Sequence, residues 1–450
     1  MSKKAIRLIT LVLAIAMIAG LAVGCGGDGK TEDADNKPGS SNTPSGGNDT
    51  TPGLDGIDPS VNVKDYEGTT VTYVTWKDPD ENEDGIAIDK FEKDFNIKVN
   101  VELVGQGTYV NKIAASIAAE QQGDIFFENG SFPASLNVMQ PLDAAMLDLS
   151  APIWNQSLVK ASTLDGHPYL VDAVSNIWTE VDICVYNKNI FENLGLNTPA
   201  DYYAAGKWTF DNFRYLCQQI NARGGSKGYI GAGILGEPAL GAAGCSFFTY
   251  KDNKMTVTTD KRLYEVMNFL AQMKADGLIK LDREGFQDGK QGMALTNCFG
   301  LKKTGYFTKI NPDHVGATYL PVWKEGDKQQ VTGIYRGWGL IEGAKNPVAA
   351  GIFLRQYLDV NNYDIEKTFH NQDVATFFFQ VTGEYSDNMV YYHGPGMADS
   401  TGMMYLFHES WNTTAPANMT GYLDSHKNTM KEMCESANKI IEKAREKIEK

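Results

Sequence analysis

The feature that most limits how this chain can fold is an alternation of short apolar strands and amphipathic helices that begins near residue 70. Residues 71–76 are rich in β-branched and aromatic side chains, 85–95 have a helical pattern, and 97–104 alternate like a strand. Apolar residues recur at helical spacing within 109–121, and a further short strand follows at 124–127. This rhythm predicts an α/β fold with helices on a mostly parallel sheet.

Ligands of such sheets bind beyond the carboxyl ends of the strands, so the residues that follow two of these strands are candidates for a binding site. Trp76 and Asp78 lie at the end of the first strand, and Glu128 and Asn129 follow the strand that ends at Phe127. Trp76 could equally be a core residue, and Glu128 and Asn129 could belong to a solvated loop. Both alternatives remain open at this point.

The N-terminal segment has the composition of an export signal. Lys3, Lys4 and Arg7 precede an apolar run over 8–23, which is too short for a comfortable membrane span. The run ends in small residues before Cys25 and resembles the bacterial lipobox. That resemblance implies a lipoprotein signal peptide over 1–24 and a diacylglyceryl group on Cys25, with an ordinary signal peptide and a chance cysteine as the alternative.

Residues 25–65 are dominated by Gly, Ser, Thr, Asn, Pro and Asp, which predicts a flexible acidic tether between the lipid and a globular body. The chain carries a net charge of −15, which argues against a nucleic-acid partner and against docking on anionic lipid headgroups. We therefore expect a monomer on the extracytoplasmic face of the cell membrane, attached by its lipid anchor.

The cysteines and histidines show no metal-ligand spacing, so we expect no metal site and no cofactor. Five cysteines remain after Cys25. No two of them form a CxxC pair, and a body of this size needs no disulfides, so most are expected to be small buried side chains.

Several ordered motifs resemble those of bacterial extracellular solute-binding proteins. Residues 186–199 resemble the family signature "YNK.lFe..Gl..tP", and 206–213 resemble "gkWTwddF". Residues 286–294 match "F..GkaaM", and 339–347 resemble "I...skn...A". Each motif is weak alone, but the ordered set is specific, and it resembles the carbohydrate-binding lipoproteins of ATP-driven importers of the maltose-binding type.

This resemblance implies a two-lobed periplasmic-binding-protein-like fold, with interleaved lobes, a hinge and a central ligand cleft. On that template, lobe one comprises 66–172 and 328–385. Lobe two comprises 173–327 and 386–450, with a C-terminal helix from residue 431 packed on it.

The resemblance adds further candidate ligand-binding residues to those at the strand ends. Glu180 lies where maltose-binding relatives place a sugar-binding glutamate near the hinge, and Trp178 lies beside it. Asn297 and Phe299 follow a predicted strand, and the family often has a ligand-stacking Trp where Phe299 stands. Arg336 and Trp338 precede another strand, two residues apart and hence on one face, a pair that suits a sugar or a carboxylate-bearing ligand.

The sequence thus predicts a non-catalytic receptor that captures an oligosaccharide by lobe closure and delivers it to ABC permease subunits. One alternative is a secreted lipoprotein glycosidase that uses Glu128 and Glu180 as paired carboxylates. Another is a solute-binding protein for a non-sugar polar ligand, or one that presents its ligand to a sensor.

Overall fold

The computed structural model describes residues 55–76, 84–105, 109–176, 178, 181–234, 236–258, 260–358, 364–385, 390–392 and 419–449. The signal peptide, Cys25 and most of the acidic tether lie outside the described residues. None of the helices in the described part is both long and apolar enough to cross a membrane.

The strands are β1 (Thr70–Thr75), β2 (Lys98–Leu103), β3 (Ile125–Asn129), β4 (Met139–Gln140), β5 (Thr163–Leu164), β6 (His167–Pro168), β7 (Asp182–Asn187), β8 (Ile230–Ile234), β9 (Phe248–Lys251), β10 (Lys254–Val257), β11 (Ile279–Lys280), β12 (Gln291–Asn297), β13 (Val315–Thr318), β14 (Thr332–Ile334), β15 (Arg336–Ile341) and β16 (Val390–Tyr392).

The α-helices are α1 (Asp84–Phe95), α2 (Tyr109–Ala118), α3 (Gln156–Ala161), α4 (Lys188–Leu194), α5 (Pro199–Ala204), α6 (Phe210–Gly224), α7 (Gly236–Ala242), α8 (Lys261–Ala275), α9 (Glu284–Gln287), α10 (Pro347–Tyr357), α11 (Ile365–Thr368), α12 (Gln372–Tyr385), α13 (Met419–Ser425) and α14 (Lys427–Ile448). Short 3-10 turns occur at Val63–Tyr66, Ala134–Val138, Leu142–Ala145, Gly225–Lys227, Cys298–Leu301 and Pro312–His314.

Two five-stranded sheets organise the body. The first has the order β2-β1-β3-β15-β4, and the second has the order β11-β8-β12-β7-β13. In each sheet four strands run in one direction, and one interior strand, β15 in the first sheet and β7 in the second, runs antiparallel to them. The sheets are therefore mostly parallel, as the sequence predicted, with one antiparallel strand in each. The reason is that β15 and β7 each enter their sheet from the other half of the molecule and run in the opposite direction.

Two crossing segments connect the sheets and pair with each other. Val171 exchanges backbone hydrogen bonds of 2.7 and 3.0 Å with Trp338. Val181, just before β7, forms an isolated antiparallel bridge with Gly333 in β14. The chain leaves the first sheet along one segment and returns to β15 along the other, so each sheet is built from more than one stretch of sequence.

The residues of the motif at 186–199 cap the ends of two helices. The Asn187 side chain accepts a hydrogen bond from the Ile190 N–H at the start of α4, and Gly195 ends that helix with φ of 60°. Thr198 and Asp201 then form a capping box around Pro199, the first residue of α5. These residue types therefore have a structural role that requires no ligand.

Apolar side chains fill the space between each sheet and its helices. Helix α10 packs on the first sheet, and helices α6 and α8 pack on the second. Trp208, in the second motif, is buried and donates a 2.8 Å hydrogen bond from its indole Nε1 to the Tyr319 carbonyl. The five cysteines of the described part are buried thiols: Cys184, Cys217, Cys245, Cys298 and Cys434.

Helices α12 and α14 make contacts outside the lobes to which the sequence assigns them. Helix α12 lies within the expected range 328–385 of lobe one, yet Gln380 donates to the Tyr319 hydroxyl next to β13 at 3.2 Å, and Lys188 of α4 pairs with Asp373. Helix α14 contacts both β10 and the turn Ala134–Val138. The lobe bounds therefore stay a prediction, because α12 contacts residues of expected lobe two and α14 contacts residues of both expected lobes.

Two helical glycines provide a matched test of packing on the first sheet. A Cβ on Gly351 of α10 would lie 2.2 Å from the Ala145 carbonyl oxygen, while a Cβ on the exposed Gly383 of α12 would meet nothing within 4 Å. We expect Gly351→Ala to lower the free energy of unfolding by about 1–3 kcal/mol through overpacking. Gly383→Ala should raise it by about 0.5–1 kcal/mol through helix propensity. Urea unfolding of both variants measures this, and equal effects of one sign would contradict it.

Candidate functional site

The carboxyl ends of the parallel strands bring the candidate residues to one edge of each sheet. In the first sheet Trp76 follows β1, Asn129 ends β3, and Arg336 begins β15 directly opposite Asn129. In the second sheet Asn297 ends β12. Its register partner is Asp182, which follows the crossing-segment residue Val181.

The two edges are connected through the crossing segments. The Cys298 N–H donates a 2.9 Å hydrogen bond to the Val181 carbonyl, and Val181 bridges Gly333, three residues before Arg336. The Cys298–Leu301 turn of the second sheet therefore lies beside the start of β15 in the first sheet. This junction is the candidate site for a ligand that contacts both sheets.

Trp76 presents a half-buried ring at the edge of the first sheet. It packs edge-on against Tyr109, with ring centroids 5.0 Å apart, and contacts Phe127 at 5.9 Å. One part of the indole is thus fixed by the core, and another part stays accessible. This arrangement suits stacking on the C–H face of a sugar.

Trp338 and Trp178 are core residues by their packing. Trp338 is 4% exposed and lies 5.0 Å from Tyr73 and 5.4 Å from Phe127, measured between ring centroids. Trp178 is 6% exposed and stacks on Phe378 at 4.1 Å, with 13° between the ring planes. Neither ring has much surface to offer a ligand, and the ligand contact expected of these two residues stays a prediction.

Glu128 belongs to β3 and does not follow it, and its side chain is 1% exposed. One carboxylate oxygen accepts a 2.9 Å hydrogen bond from the Gly130 N–H, and the other accepts one from the Ser131 N–H. Burial raises the pKa of Glu128 to about 7, against the lowering effect of these hydrogen bonds and of nearby Arg336. The Glu128 carboxylate therefore holds the turn after β3 in place, and its predicted contact with a ligand stays a prediction.

At the second edge, Asn297 shapes a turn and Phe299 supplies a half-buried ring. The Asn297 side-chain oxygen accepts a 3.3 Å hydrogen bond from the Phe299 N–H, which caps the Cys298–Leu301 turn. The Phe299 ring packs edge-on against Tyr306 with centroids 4.9 Å apart. An aromatic surface is therefore present where the family often has a tryptophan.

Arg283 and Tyr306 were missed by the sequence reasoning. Arg283 follows β11, and its guanidinium carbon lies 3.2 Å from the centroid of the Tyr306 ring. Burial lowers the pKa of Arg283, with a smaller contribution from Arg336 in the same direction. The preceding strand, β11, has only two residues, so no periodicity in the sequence could reveal it. Tyr306 lies in an irregular segment.

The remaining candidates Asp78 and Glu180 lie outside the described residues. Among the residues that are described, no group of three His, Cys, Asp or Glu side chains could hold a metal ion. A cavity of about 750 Å³ lies elsewhere, between the C-terminal end of α7, the β9–β10 hairpin and residues 327–332. None of the eight predicted ligand-binding residues within the described part of the chain lines it.

Comparison with known proteins gives a family match and a structural match. The family described as "Bacterial extracellular solute-binding protein" matches residues 73–358. No curated protein matches the chain. Among solved structures, the galacto-N-biose-/lacto-N-biose I-binding protein of the Bifidobacterium longum ABC transporter, in complex with lacto-N-biose, superposes with a TM-score of 0.63 at 13% identity, covering 81% of this chain and 97% of that one.

Two further structures resemble the chain over a similar length. Maltose-bound MalE3 of T. maritima has a TM-score of 0.59 at 15% identity, covering 80% of this chain and 100% of that one. A solute-binding protein of an Agrobacterium radiobacter K84 ABC transporter, in complex with ribitol, has a TM-score of 0.58 at 16% identity, covering 81% and 99%. At these identities the likeness shows the fold, and it confirms the predicted α/β two-lobed periplasmic-binding-protein-like architecture.

The burial of Glu128 predicts that the stability of the protein depends on pH. Because the folded protein binds the Glu128 proton more tightly than the unfolded chain does, the free energy of unfolding should fall as pH rises from 4.5 to 7. The fall should amount to at most about 3 kcal/mol and should level off above pH 7. In Glu128→Gln this contribution is absent. We therefore expect the stability of the wild type relative to the variant to decrease from pH 5 to pH 8 in urea unfolding.

The control for this experiment is Glu265→Gln on α8. The Glu265 side chain is 38% exposed, and its hydrogen bond with Lys261 lowers its pKa, so its removal should not reproduce the decrease. Parallel stability curves for the wild type and Glu128→Gln across this pH range would contradict the prediction.

Proposed function

The chain belongs to the bacterial extracellular solute-binding proteins, and from that premise we propose that it is a membrane-anchored receptor for a carbohydrate that it delivers to an ABC permease. The observation that supports a carbohydrate as the substrate is that the candidate residues lie at the facing edges of the two sheets. Trp76 on the first sheet and Phe299 on the second offer partly exposed aromatic faces, and Asn129 adds a partly exposed side-chain amide. Sugars, with C–H faces and hydroxyl edges, require this combination.

The proposed capture step is closure of the two lobes over the ligand. The crossing segments pair through a few backbone contacts, which is the construction expected of a hinge. Closing brings the Cys298–Leu301 turn toward the end of β3 and removes the sugar from water between them. Lobe bounds of 66–172 with 328–385, and 173–327 with 386–450, remain part of this proposal.

The proposed anchor is the lipid on Cys25, joined to the lobes by the acidic tether. Because a single acyl chain gives only reversible membrane binding, the multiply acylated cysteine of a lipoprotein suits a protein that must stay at the membrane. The monomer on the extracytoplasmic face then reaches its permease through the length of the tether.

The glycosidase alternative depends on a carboxyl group that is presented to a glycosidic bond. Glu128 has a raised pKa, which a general acid needs, but both of its oxygens accept backbone hydrogen bonds and its side chain is buried. This geometry favours the receptor. Recovery of unhydrolysed sugar after prolonged incubation with the protein distinguishes the two functions.

A thermal-shift screen against mono- and oligosaccharides tests the substrate class. A bound sugar should raise the melting temperature in a concentration-dependent way, because it binds the folded state alone. We expect Phe299→Ala to weaken the bound sugar about tenfold or more in isothermal titration, through loss of the stacking face. The matched control Tyr215→Ala removes an aromatic ring that is 43% exposed on α6 and should leave affinity unchanged. A panel without any stabilising sugar would overturn the proposed substrate class.

Cell fractionation tests the anchor. Cys25→Ser removes the acceptor of the lipid, so the protein should move from the membrane fraction to the soluble exported fraction. Its melting temperature should be unchanged, because the substitution lies in the predicted tether. Retention of the variant in the membrane at the wild-type level would show that another element anchors the chain.

A further inference from the structure

The cavity of about 750 Å³ at the C-terminal end of α7 has no part in the proposed capture of a ligand at the sheet edges. Its walls come from the loop after α7, the β9–β10 hairpin, the start of α8 and the segment that leads into β14, and Tyr391 of β16 completes them. The volume lies within the range of about 300–1,000 Å³ that is typical of small-molecule sites. Because several separate stretches of chain form the walls, the cavity is a concave feature of the fold and not a gap within one loop.

The β9–β10 hairpin contributes side-chain hydroxyls to the cavity. Thr249 and Thr256 belong to its two strands, and Thr258 follows the second strand. The Oγ1 atoms of Thr249 and Thr258 lie 3.1 Å apart, within hydrogen-bond distance. A hydroxyl has one donor and two acceptor positions, so a pair of hydroxyls bonded to each other can still accept from a further donor. This wall therefore offers hydrogen bonds without a charge.

The segment that leads into β14 adds two polar side chains without a hydrogen-bond partner among the described residues. Gln330 is half-buried, and its amide oxygen lies 3.7 Å from the position that a Cβ on Gly244 would take on the neighbouring wall. Thr332 is fully buried, and its hydroxyl oxygen is unpaired. Buried polar groups normally have a partner, because leaving one without a hydrogen bond costs stability. A hydroxylated ligand provides partners for such groups.

The charged side chains at the cavity balance one another. The Arg262 guanidinium lies 3.5 Å from the Asp327 carboxylate and donates a 3.4 Å hydrogen bond to the Ala243 carbonyl. The Asp260 carboxylate accepts a 2.8 Å hydrogen bond from the Arg262 backbone N–H at the start of α8. Lys328 is the second cation of the described lining, and it is exposed. Two acids and two bases therefore favour a neutral ligand over an ion.

Apolar groups form the remaining part of the lining. Ala242, Phe248 and Val257 contribute aliphatic and aromatic surface. The Tyr391 ring is held against Tyr335, with ring centroids 4.7 Å apart. A molecule that fits this lining needs apolar C–H faces as well as hydroxyl groups, and this combination is typical of a sugar ring.

We propose that this cavity is a second ligand site, which binds a neutral saccharide of one or two rings independently of the site at the sheet edges. Hydroxyls of the saccharide bond to the Thr249–Thr258 pair and to the Gln330 amide, while its C–H face lies on the apolar part of the lining. Such a site is additional to the proposed function, since capture between the sheet edges does not require it.

Cysteine modification tests where the saccharide binds. Thr258→Cys places a thiol in the wall of the cavity, whereas none of the five native thiols in the described part of the chain is more than 8% exposed. We expect an excess of glucose, galactose, maltose or lactose to slow modification of residue 258 by a methanethiosulfonate reagent about fivefold or more. Peptide mapping by mass spectrometry identifies the modified residue. In the control Thr376→Cys, on the exposed face of α12, the rate should stay unchanged.

Two further variants separate the cavity from the sheet edges. Gln330→Ala should weaken the protecting sugar about threefold to tenfold in isothermal titration, through loss of the amide. Gln272→Ala removes the same group from the exposed surface of α8 and should leave the affinity unchanged. Phe299→Ala, combined with Thr258→Cys, should leave the protection of residue 258 unchanged. Melting temperatures near that of the wild type verify folding.

The outcomes distinguish the second site from the proposed receptor. Lack of protection by every sugar, or equal protection at residues 258 and 376, overturns the second site and leaves the receptor standing if the thermal-shift screen finds a sugar. Protection that Phe299→Ala abolishes overturns the independence of the two sites. Failure of every sugar in both experiments overturns both proposals. Protection that persists in Phe299→Ala and is weakened by Gln330→Ala supports the second site.

Discussion

The pairing of the two crossing segments is the contact on which the rest of this structure depends. Val171 with Trp338, and Val181 with Gly333, hold together stretches of chain that are more than 150 residues apart in sequence. Because of these pairs, β15 completes the first sheet and β7 the second. They also place the start of β15 beside the Cys298–Leu301 turn. The same pairs of residues therefore determine both the strand order of the sheets and the position of the candidate site.

The local elements of the fold were predictable because their signals are local. The strand expected at 71–76 is β1, the helix expected at 85–95 is α1, and the helix expected from residue 431 is the later part of α14. The one antiparallel strand in each sheet, β15 or β7, was not predictable in this way. It depends on which stretch of chain returns to which sheet, and hydrophobic periodicity contains no information about that.

The candidate site was predictable only in part, for a similar reason. Trp76 and Phe299 could be proposed from their positions after strands, and they are half-buried rings at sheet edges. Trp338 also lies at a strand that leads to the candidate site, yet it packs in the core. The two tryptophans differ in burial, which the residue type does not reveal. Arg283 gave no signal, since its importance comes from a ring 23 residues further along the chain.

Helix α14 is attached to both halves of the body. Asn438 exchanges hydrogen bonds of 2.8 and 2.9 Å with the backbone of Met255 in β10, while Lys447 reaches Glu342 after β15 at 3.2 Å. A helix attached to both halves in this way restricts their relative motion to rotations about an axis that passes close to the helix. For a rotation about such an axis, the displacement of a group grows with its distance from α14. The groups farthest from α14 therefore move the most.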